Sequence, residues 1–299
     1  MNSESSFLDS EVLGRLAALP LESRRQMSGT VSGRHRSPSR GSSLEFSEYR
    51  NYVPGDDTRR LDWRAWGRND RFYVKEFEAD TNLRLCLVTD VSGSMNYPLS
   101  QPTERMKTRL DYARQLAGTL AWLASKQGEA VGLSTLGESH RQEVQPRRGA
   151  RHLGGVLTRL SEVQASGEAD LIQGLHKVAD LLPRRSLVVI VSDLIAEARS
   201  MQSALDHLRW RGHDTVVFHL LDPMELSFDF DRPVKLVDLE SGESILADPA
   251  LMKDGYQQVV QRYVDAMSDV MNRSQVDYHC VHMDESYERA LADFLLGRR

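Results

Sequence analysis

The alternation of short buried strands with amphipathic helices, from residue 83 onward, most constrains the fold of this chain. The stretches LRLCLVTD (83–90) and SLVVIVSD (186–193) are apolar runs of strand length. Between and after them, apolar residues recur at helical spacing, for example in 103–127 and 171–182. Strands that alternate with helices predict an α/β fold with a mostly parallel central sheet covered by helices on both faces.

The first 82 residues have a different character. Residues 5–22 have the spacing of an amphipathic helix, and the interval 24–75 carries 12 Lys/Arg against 6 Asp/Glu, with interleaved aromatic residues. We therefore predict two parts: an N-terminal segment (1–82) that packs on an α/β domain (83–299). The segment could pair extra strands as a small β subdomain.

The charge, the cysteines and the N-terminus indicate the cellular compartment in which the protein is expected. The formal net charge of −5 gives no global attraction to nucleic acid or to an anionic membrane. Cys86 and Cys280 lie in apolar runs, which predicts reduced, buried thiols rather than a disulfide framework. The N-terminus has no signal-peptide pattern and no stretch has the length of a membrane span, so we expect a cytoplasmic protein.

Polar oxygens follow two of the predicted strands. Asp90, Ser92 and Ser94 alternate directly after the strand 83–90, and Asp193 ends the strand 186–193. Ligands of such sheets bind beyond the carboxyl ends of the strands, so these side chains could converge there. An all-oxygen site of this kind suits Mg²⁺. The alternative is structural, because Asp, Ser and Gly are also common in turns and at helix caps.

The same residues resemble a known family. The stretch DVSGSM (90–95) has the D-x-S-x-S signature of the metal-ion-dependent adhesion site (MIDAS) of von Willebrand factor A domains, and SD (192–193) resembles the third metal loop of that domain. Upstream, the stretch 37–83 resembles the defining part of a bacterial family called domain of unknown function 58. The resemblance implies a Rossmann-like A domain without enzymatic activity, which binds protein partners through Mg²⁺, or through Mn²⁺ or Ca²⁺. It also implies that Asp90, Ser92, Ser94 and Asp193 hold the ion.

One position departs from the family pattern. The second metal loop of A domains usually supplies a threonine, and the matching text GEAD (167–170) has Ala169 there. Alanine cannot be a ligand, so Asp170 or Glu168 would have to contribute, or water would fill the place. The sequence therefore leaves open whether the site binds its ion and whether its affinity switches.

The resemblance also implies a partner. Members of the family are often encoded beside MoxR-type AAA+ ATPases, so we expect an adaptor or co-chaperone of such an ATPase, or a binder of its substrate, in protein maturation or complex assembly. For the partner-binding surface we select Arg59, Arg60, Trp63 and Arg64 from the basic segment. Their alternative role is structural, as an ion-paired surface with tryptophan anchors.

Other function classes have less support. A nucleophilic Ser92 or Ser94 would need a positioned base, and neither a G-x-S-x-G elbow nor a nucleotide-binding glycine motif is present. Nucleic-acid binding through the segment 24–75 is a second alternative, which would weaken steeply with salt. A structural A domain with a non-functional metal site is a third.

Overall fold

The computed structural model describes residues 7–23, 45–51, 73–78, 83–137 and 142–298, and only the backbone of the strands at 45–51 and 73–78. The chain divides into two compact units, one formed by residues 1–25 and 83–299 and the other by residues 26–82.

The described strands are β1 (Glu45–Asn51), β2 (Tyr73–Glu78), β3 (Arg84–Asp90), β4 (Ala130–Leu136), β5 (Glu143–Arg147), β6 (Leu187–Ser192), β7 (Asp214–Leu221), β8 (Val234–Val237), β9 (Ser244–Ala247) and β10 (Asp277–His282). The described α-helices are α1 (Ser10–Leu16), α2 (Arg109–Lys126), α3 (Ala150–Glu162), α4 (Leu171–Leu181), α5 (Ala198–Trp210), α6 (Pro223–Ser227), α7 (Pro249–Arg273) and α8 (Tyr287–Leu296). A short 3-10 helix (Gly93–Asn96) follows β3.

A six-stranded sheet forms the centre of the larger unit, in the order β10-β7-β6-β3-β4-β5. All neighbouring pairs are parallel except β4 and β5, which are antiparallel at one edge. When the six strands are renumbered 1 to 6 in chain order and the sheet is taken from β5 to β10, their order is 3-2-1-4-5-6. This is the order of doubly wound α/β folds. The predicted Rossmann-like fold of the von Willebrand factor A type is confirmed.

The strand order reverses between β3 and β6. The chain runs from β3 to β4 and β5 on one side, and from β6 to β7 and β10 on the other. In doubly wound folds, ligands bind beyond the carboxyl ends of the strands at such a point. Asp90, the last residue of β3, and Asp193, which directly follows β6, lie near each other at this point.

Helices pack on the sheet through apolar side chains. Strands β3, β6 and β7 are almost entirely buried, as expected for central parallel strands. One core cluster joins α4, α5 and α7 to side chains of the sheet that include Cys86, Val188 and Val217. Among the described residues, no helix is both long enough and apolar enough to cross a membrane.

Local capping corrects two predicted helix boundaries. The helix predicted at 103–127 begins at Arg109, because Thr108 and Asp111 form a capping box there. The helix predicted at 5–22 covers only Ser10–Leu16, because Asp9 caps its N-terminus and the chain leaves helical geometry soon after Leu16.

Helix α1 belongs to the larger unit, although the sequence division grouped it with residues 1–82. Its side chains Val12, Leu13 and Leu16 are buried. Arg15 donates hydrogen bonds to both carboxylate oxygens of Glu288 in α8, at 2.5 and 2.7 Å. The apolar face predicted for residues 5–22 therefore packs on the α/β domain.

Within the smaller unit, β1 and β2 pair in antiparallel fashion, with a register shift between Phe46 and Glu48. Extra strands were expected in this part of the chain. The remainder of the basic segment lies outside the described residues.

The prediction of two buried thiols is right for Cys86 and wrong for Cys280, which is exposed. Cys280 lies on β10, and this strand pairs only with β7 at the edge of the described sheet. An edge strand has a less completely covered surface than the central strands.

Candidate metal centre

The loop after β3 brings three side-chain oxygens together. The Ser92 amide donates a hydrogen bond to Asp90 Oδ1 at 2.9 Å, and the hydroxyl oxygens of Ser92 and Ser94 are 2.9 Å apart. All three side chains are buried. The alternating Asp-x-Ser-x-Ser spacing therefore forms a compact oxygen cluster, in which the aspartate also fixes the turn.

The end of β6 joins this cluster. Ser192 donates its hydroxyl hydrogen to Asp90 Oδ2 at 2.6 Å and accepts a hydrogen bond from the Leu194 amide at 2.9 Å. Leu194 is buried and has a positive φ of 55°, an unfavourable conformation for a bulky residue. Ser192 and the hydroxyl of Tyr263, which donates to the Leu194 carbonyl, hold the backbone in that conformation.

Two carboxylates lie near each other at low exposure. Asp90 is 3 % exposed and Asp193 is 4 % exposed. The pKa of Asp90 is raised to about 6, first by burial and then by the negative charge of Asp193, against hydrogen bonds from Ser192 and Ser92 that lower it. Two buried like charges beside a pair of hydroxyls favour a bound cation, so this donor set fits Mg²⁺.

Arg109 occupies the other side of Asp193. Its guanidinium is 1 % exposed and donates to Asp193 Oδ2 and to Glu225 Oε2. Glu225 also accepts a hydrogen bond from the Asp222 amide at 3.0 Å, as part of a capping box on α6. The ion pair orients Asp193 and binds one of its oxygens, and the other, Oδ1, lies 3.5 Å from the Ile195 amide.

The loop before α4 packs against the first loop. The Gly93 amide donates to the Gly167 carbonyl at 2.8 Å, and the Ser166 amide donates to the Val91 carbonyl at 3.1 Å. This is the position of the second metal loop in the predicted site. Ala169 lies in it and provides no side-chain oxygen.

Residues 48–265 match the profile of the family described as "Protein of unknown function DUF58". This match covers more than half of the chain. The chain belongs to the DUF58 family. It is also 28 % identical over 251 residues to uncharacterized proteins of Mycobacterium tuberculosis and Mycobacterium bovis, covering 82 % of this chain and 77 % of each relative.

Solved structures with a similar fold are more distant. The protein BatB of Bacteroides thetaiotaomicron has a TM-score of 0.46 at 15 % identity, covering 72 % of this chain and 98 % of its own. The VWA domain of SpRpn10 has a TM-score of 0.40 at 12 % identity, covering 72 % and 95 %.

The additional candidate Asp170 has a structural contact in this DUF58 protein. Its carboxylate caps α4 by accepting a hydrogen bond from the Gln173 amide at 2.8 Å. It borders a cleft together with Glu168 and Lys177. None of the contacts in the described residues joins Asp170 to the oxygens of Asp90, Ser92, Ser94 or Asp193.

The predicted partner-binding residues Arg59, Arg60, Trp63 and Arg64 lie outside the described residues. Their role, and the alternative of nucleic-acid binding through 24–75, stay predictions.

Four residues at the centre were not selected from the sequence as site residues, namely Ser192, Arg109, Glu225 and Glu240. Ser192 was signalled by its place beside Asp193 in the third-loop motif. The pKa of Glu240 is raised by burial and then by the charge of Asp193, against hydrogen bonding from the side chain and the backbone of Ser94 that lowers it. Among the described residues, no three His, Cys, Asp or Glu side chains surround a common metal position. The four predicted ligands supply oxygens from two carboxylates and two serine hydroxyls.

Proposed function

We propose that this protein is a non-enzymatic, cation-dependent protein-binding module. Asp90, Ser92, Ser94 and Asp193 would hold Mg²⁺, or Mn²⁺ or Ca²⁺ in its place. The bound ion would supply a Lewis-acid position for an acidic side chain of a partner protein. The observation that carries the proposal is the burial of two mutually repelling carboxylates beside two serine hydroxyls at the switch point of the sheet.

The donor set also indicates what the site would bind. Serine hydroxyls are neutral oxygens, so the site neutralises a divalent cation less completely than a cluster of three or four carboxylates would. Arg109 already neutralises part of the charge of Asp193. An ion held in this way retains affinity for a further carboxylate, and a partner's Asp or Glu has that chemistry.

A second feature supports protein binding over catalysis. The hydroxyls of Ser92 and Ser94 bond to each other, and in the described part of the chain no histidine contacts either of them. His219 contacts the backbone carbonyl of Asp193 and the hydroxyl of Tyr278, and burial lowers its pKa to about 4. A Ser–His nucleophile pair therefore has no support in this geometry.

We further propose that the partner is a MoxR-type AAA+ ATPase or a substrate of that ATPase, in the cytoplasm. This part of the proposal rests on the family resemblance, and membership of the DUF58 family supports it. The expected role is that of an adaptor in protein maturation or complex assembly.

Binding of the full chain to the purified, nucleotide-free ATPase from the same organism tests this function. We expect binding in Mn²⁺ to be at least about tenfold tighter than in EDTA, and Ser92→Ala to weaken it by a similar factor, because the variant loses a ligand oxygen. Biolayer interferometry with immobilised ATPase measures both effects.

The matched control is Ser203→Ala, which removes an exposed hydroxyl on α5 that takes part in none of the contacts described at the centre. It should bind like the wild type. Equal binding of the wild type and Ser92→Ala, in Mn²⁺ and in EDTA alike, would contradict a cation-dependent interface.

A further inference from the structure

A β-hairpin between α6 and α7 reaches the candidate metal centre. Its strands β8 and β9 pair with each other in antiparallel fashion, and most of their side chains are exposed. The hairpin is an excursion from the sheet, since it lies between β7 and the long helix that leads to β10.

The turn of the hairpin has a defined shape. Asp238 accepts hydrogen bonds from the amides of Glu240 at 2.8 Å and Ser241 at 3.3 Å, and the Asp238 amide donates to the Glu243 carbonyl at 2.8 Å. Gly242 supplies the positive φ of 74° that the turn requires. Glu240 is therefore presented from a fixed turn.

The backbone of this turn lies against the Asp-x-Ser-x-Ser loop. A Cβ atom added to Gly93 would be 2.3 Å from the Leu239 carbonyl oxygen and 3.2 Å from the Glu240 Cα. Both contacts are to backbone atoms, so no side-chain movement would relieve them. The glycine between the two serines is thus required by the hairpin that packs on it.

The Glu240 carboxylate reaches one of the candidate ligands. The Glu240 Cα lies beside Gly93, the neighbour of Ser94, and the pKa of Glu240 is raised by burial and by the charge of Asp193 and lowered by hydrogen bonding from Ser94. In the described residues Glu240 does not share a metal position with Asp90 and Asp193, so it would join the ion only after its side chain changes position. The second metal loop has no side-chain oxygen at Ala169, which leaves a coordination position that another donor can take.

We propose that Glu240 is an internal acidic ligand of the candidate cation site. It takes the position that a partner's carboxylate would take, and the turn 238–243 must lift from Gly93 before an external acid can bind. This inference rests on the proposed cation site. It adds that the chain carries its own competitor for that site.

In the described sheets, β8 and β9 pair with no strand of the central sheet. The strands of the hairpin bond to each other in the described sheets, and a two-stranded hairpin has marginal stability by itself. A partner's carboxylate therefore competes chiefly with the contacts of Glu240 and with the packing on Gly93.

Titration of the full chain with Mn²⁺, followed by electron paramagnetic resonance and by water-proton relaxation, tests the inference. Glu240→Gln should weaken Mn²⁺ binding by about tenfold or more, because a carboxylate ligand is replaced by a neutral amide. It should also raise the proton relaxation enhancement per bound ion, because water takes the vacated position. A role of Glu240 in folding alone would not increase the hydration of the ion.

Glu243→Gln is the matched control, since it changes an exposed glutamate in the same hairpin. It should match the wild type within about twofold in both measurements. As a second measurement, Mg²⁺ should slow amide hydrogen exchange in residues 238–243 of the wild type and leave it unchanged in Glu240→Gln.

The outcomes separate the two proposals. If the wild type binds Mn²⁺, Asp90→Asn does not, and Glu240→Gln equals the wild type in affinity and relaxation, the cation site stands and the internal ligand is refuted. If wild type and Asp90→Asn behave alike, the cation site itself fails, and the internal ligand fails with it.

Discussion

Arg109→Met is expected to lower the free energy of unfolding by about 3–5 kcal/mol. The guanidinium is buried and pairs with Asp193 on one side and with Glu225 on the other. Methionine fills much of the volume but leaves the buried carboxylate of Asp193 and the partly buried carboxylate of Glu225 without a counter-charge. Urea unfolding followed by circular dichroism measures the loss.

Two further variants decide whether lost charge compensation is the cause. Arg105→Met changes an exposed arginine that precedes the same helix and should alter stability by no more than about 0.5 kcal/mol. The triple variant Arg109→Met, Asp193→Asn, Glu225→Gln removes all three charges and should recover most of the loss. A loss below about 1 kcal/mol for Arg109→Met alone would contradict the proposed role of the ion pairs.

Asp90→Asn is expected to raise the free energy of unfolding of the protein without added metal. Ionised Asp90 is buried and repelled by Asp193, which raises its pKa to about 6 from a usual value of 3.8. An asparagine keeps the size and an acceptor oxygen but carries no charge. A shift of this size corresponds to about 2–3 kcal/mol of added stability at pH 7 in EDTA.

The pH dependence of this gain follows from the sign of the shift. Between pH 3.8 and about 6, the folded wild type binds more protons than the unfolded chain, so its stability falls as the pH rises through this window. Above pH 6 Asp90 is ionised in the folded protein, and the full loss of stability from this buried charge is present. The gain of Asp90→Asn should therefore be largest above pH 6 and vanish as the pH falls towards 4. A variant less stable than the wild type at pH 7 in EDTA would contradict this account.

The increase in stability would come with a loss of metal binding. Added Mg²⁺ should raise the melting temperature of the wild type by the usual ligand linkage and leave Asp90→Asn unchanged. Functional sites commonly retain such destabilising charges, because the function needs them.

The fold and the core of the site could be predicted because their signals are local. The strand SLVVIVSD is continuous, buried and ended by an acid, and the Ser241-Gly242 turn marks the hairpin formed by β8 and β9. The meeting of Asp90 with the end of β6 follows from the strand order of a doubly wound sheet.

Arg109 and Glu240 could not be predicted, because their roles depend on tertiary packing. Arg109 begins an amphipathic helix, and nothing in its neighbours shows that the guanidinium turns inward to Asp193 and Glu225. Glu240 is one of many acidic residues in the chain, and it reaches Ser94 only because the hairpin folds back over Gly93. Predicting either contact would require the angle at which each element leaves the sheet.

Isothermal titration of the full chain with Mg²⁺ at pH 7.5 tests the cation site most directly. We expect one binding site per chain at up to millimolar Mg²⁺, and no binding by Asp90→Asn under the same conditions. If the wild type binds none of Mg²⁺, Mn²⁺ and Ca²⁺ at millimolar concentration, the oxygens at the switch point form a structural turn and the proposed cation-dependent function is wrong.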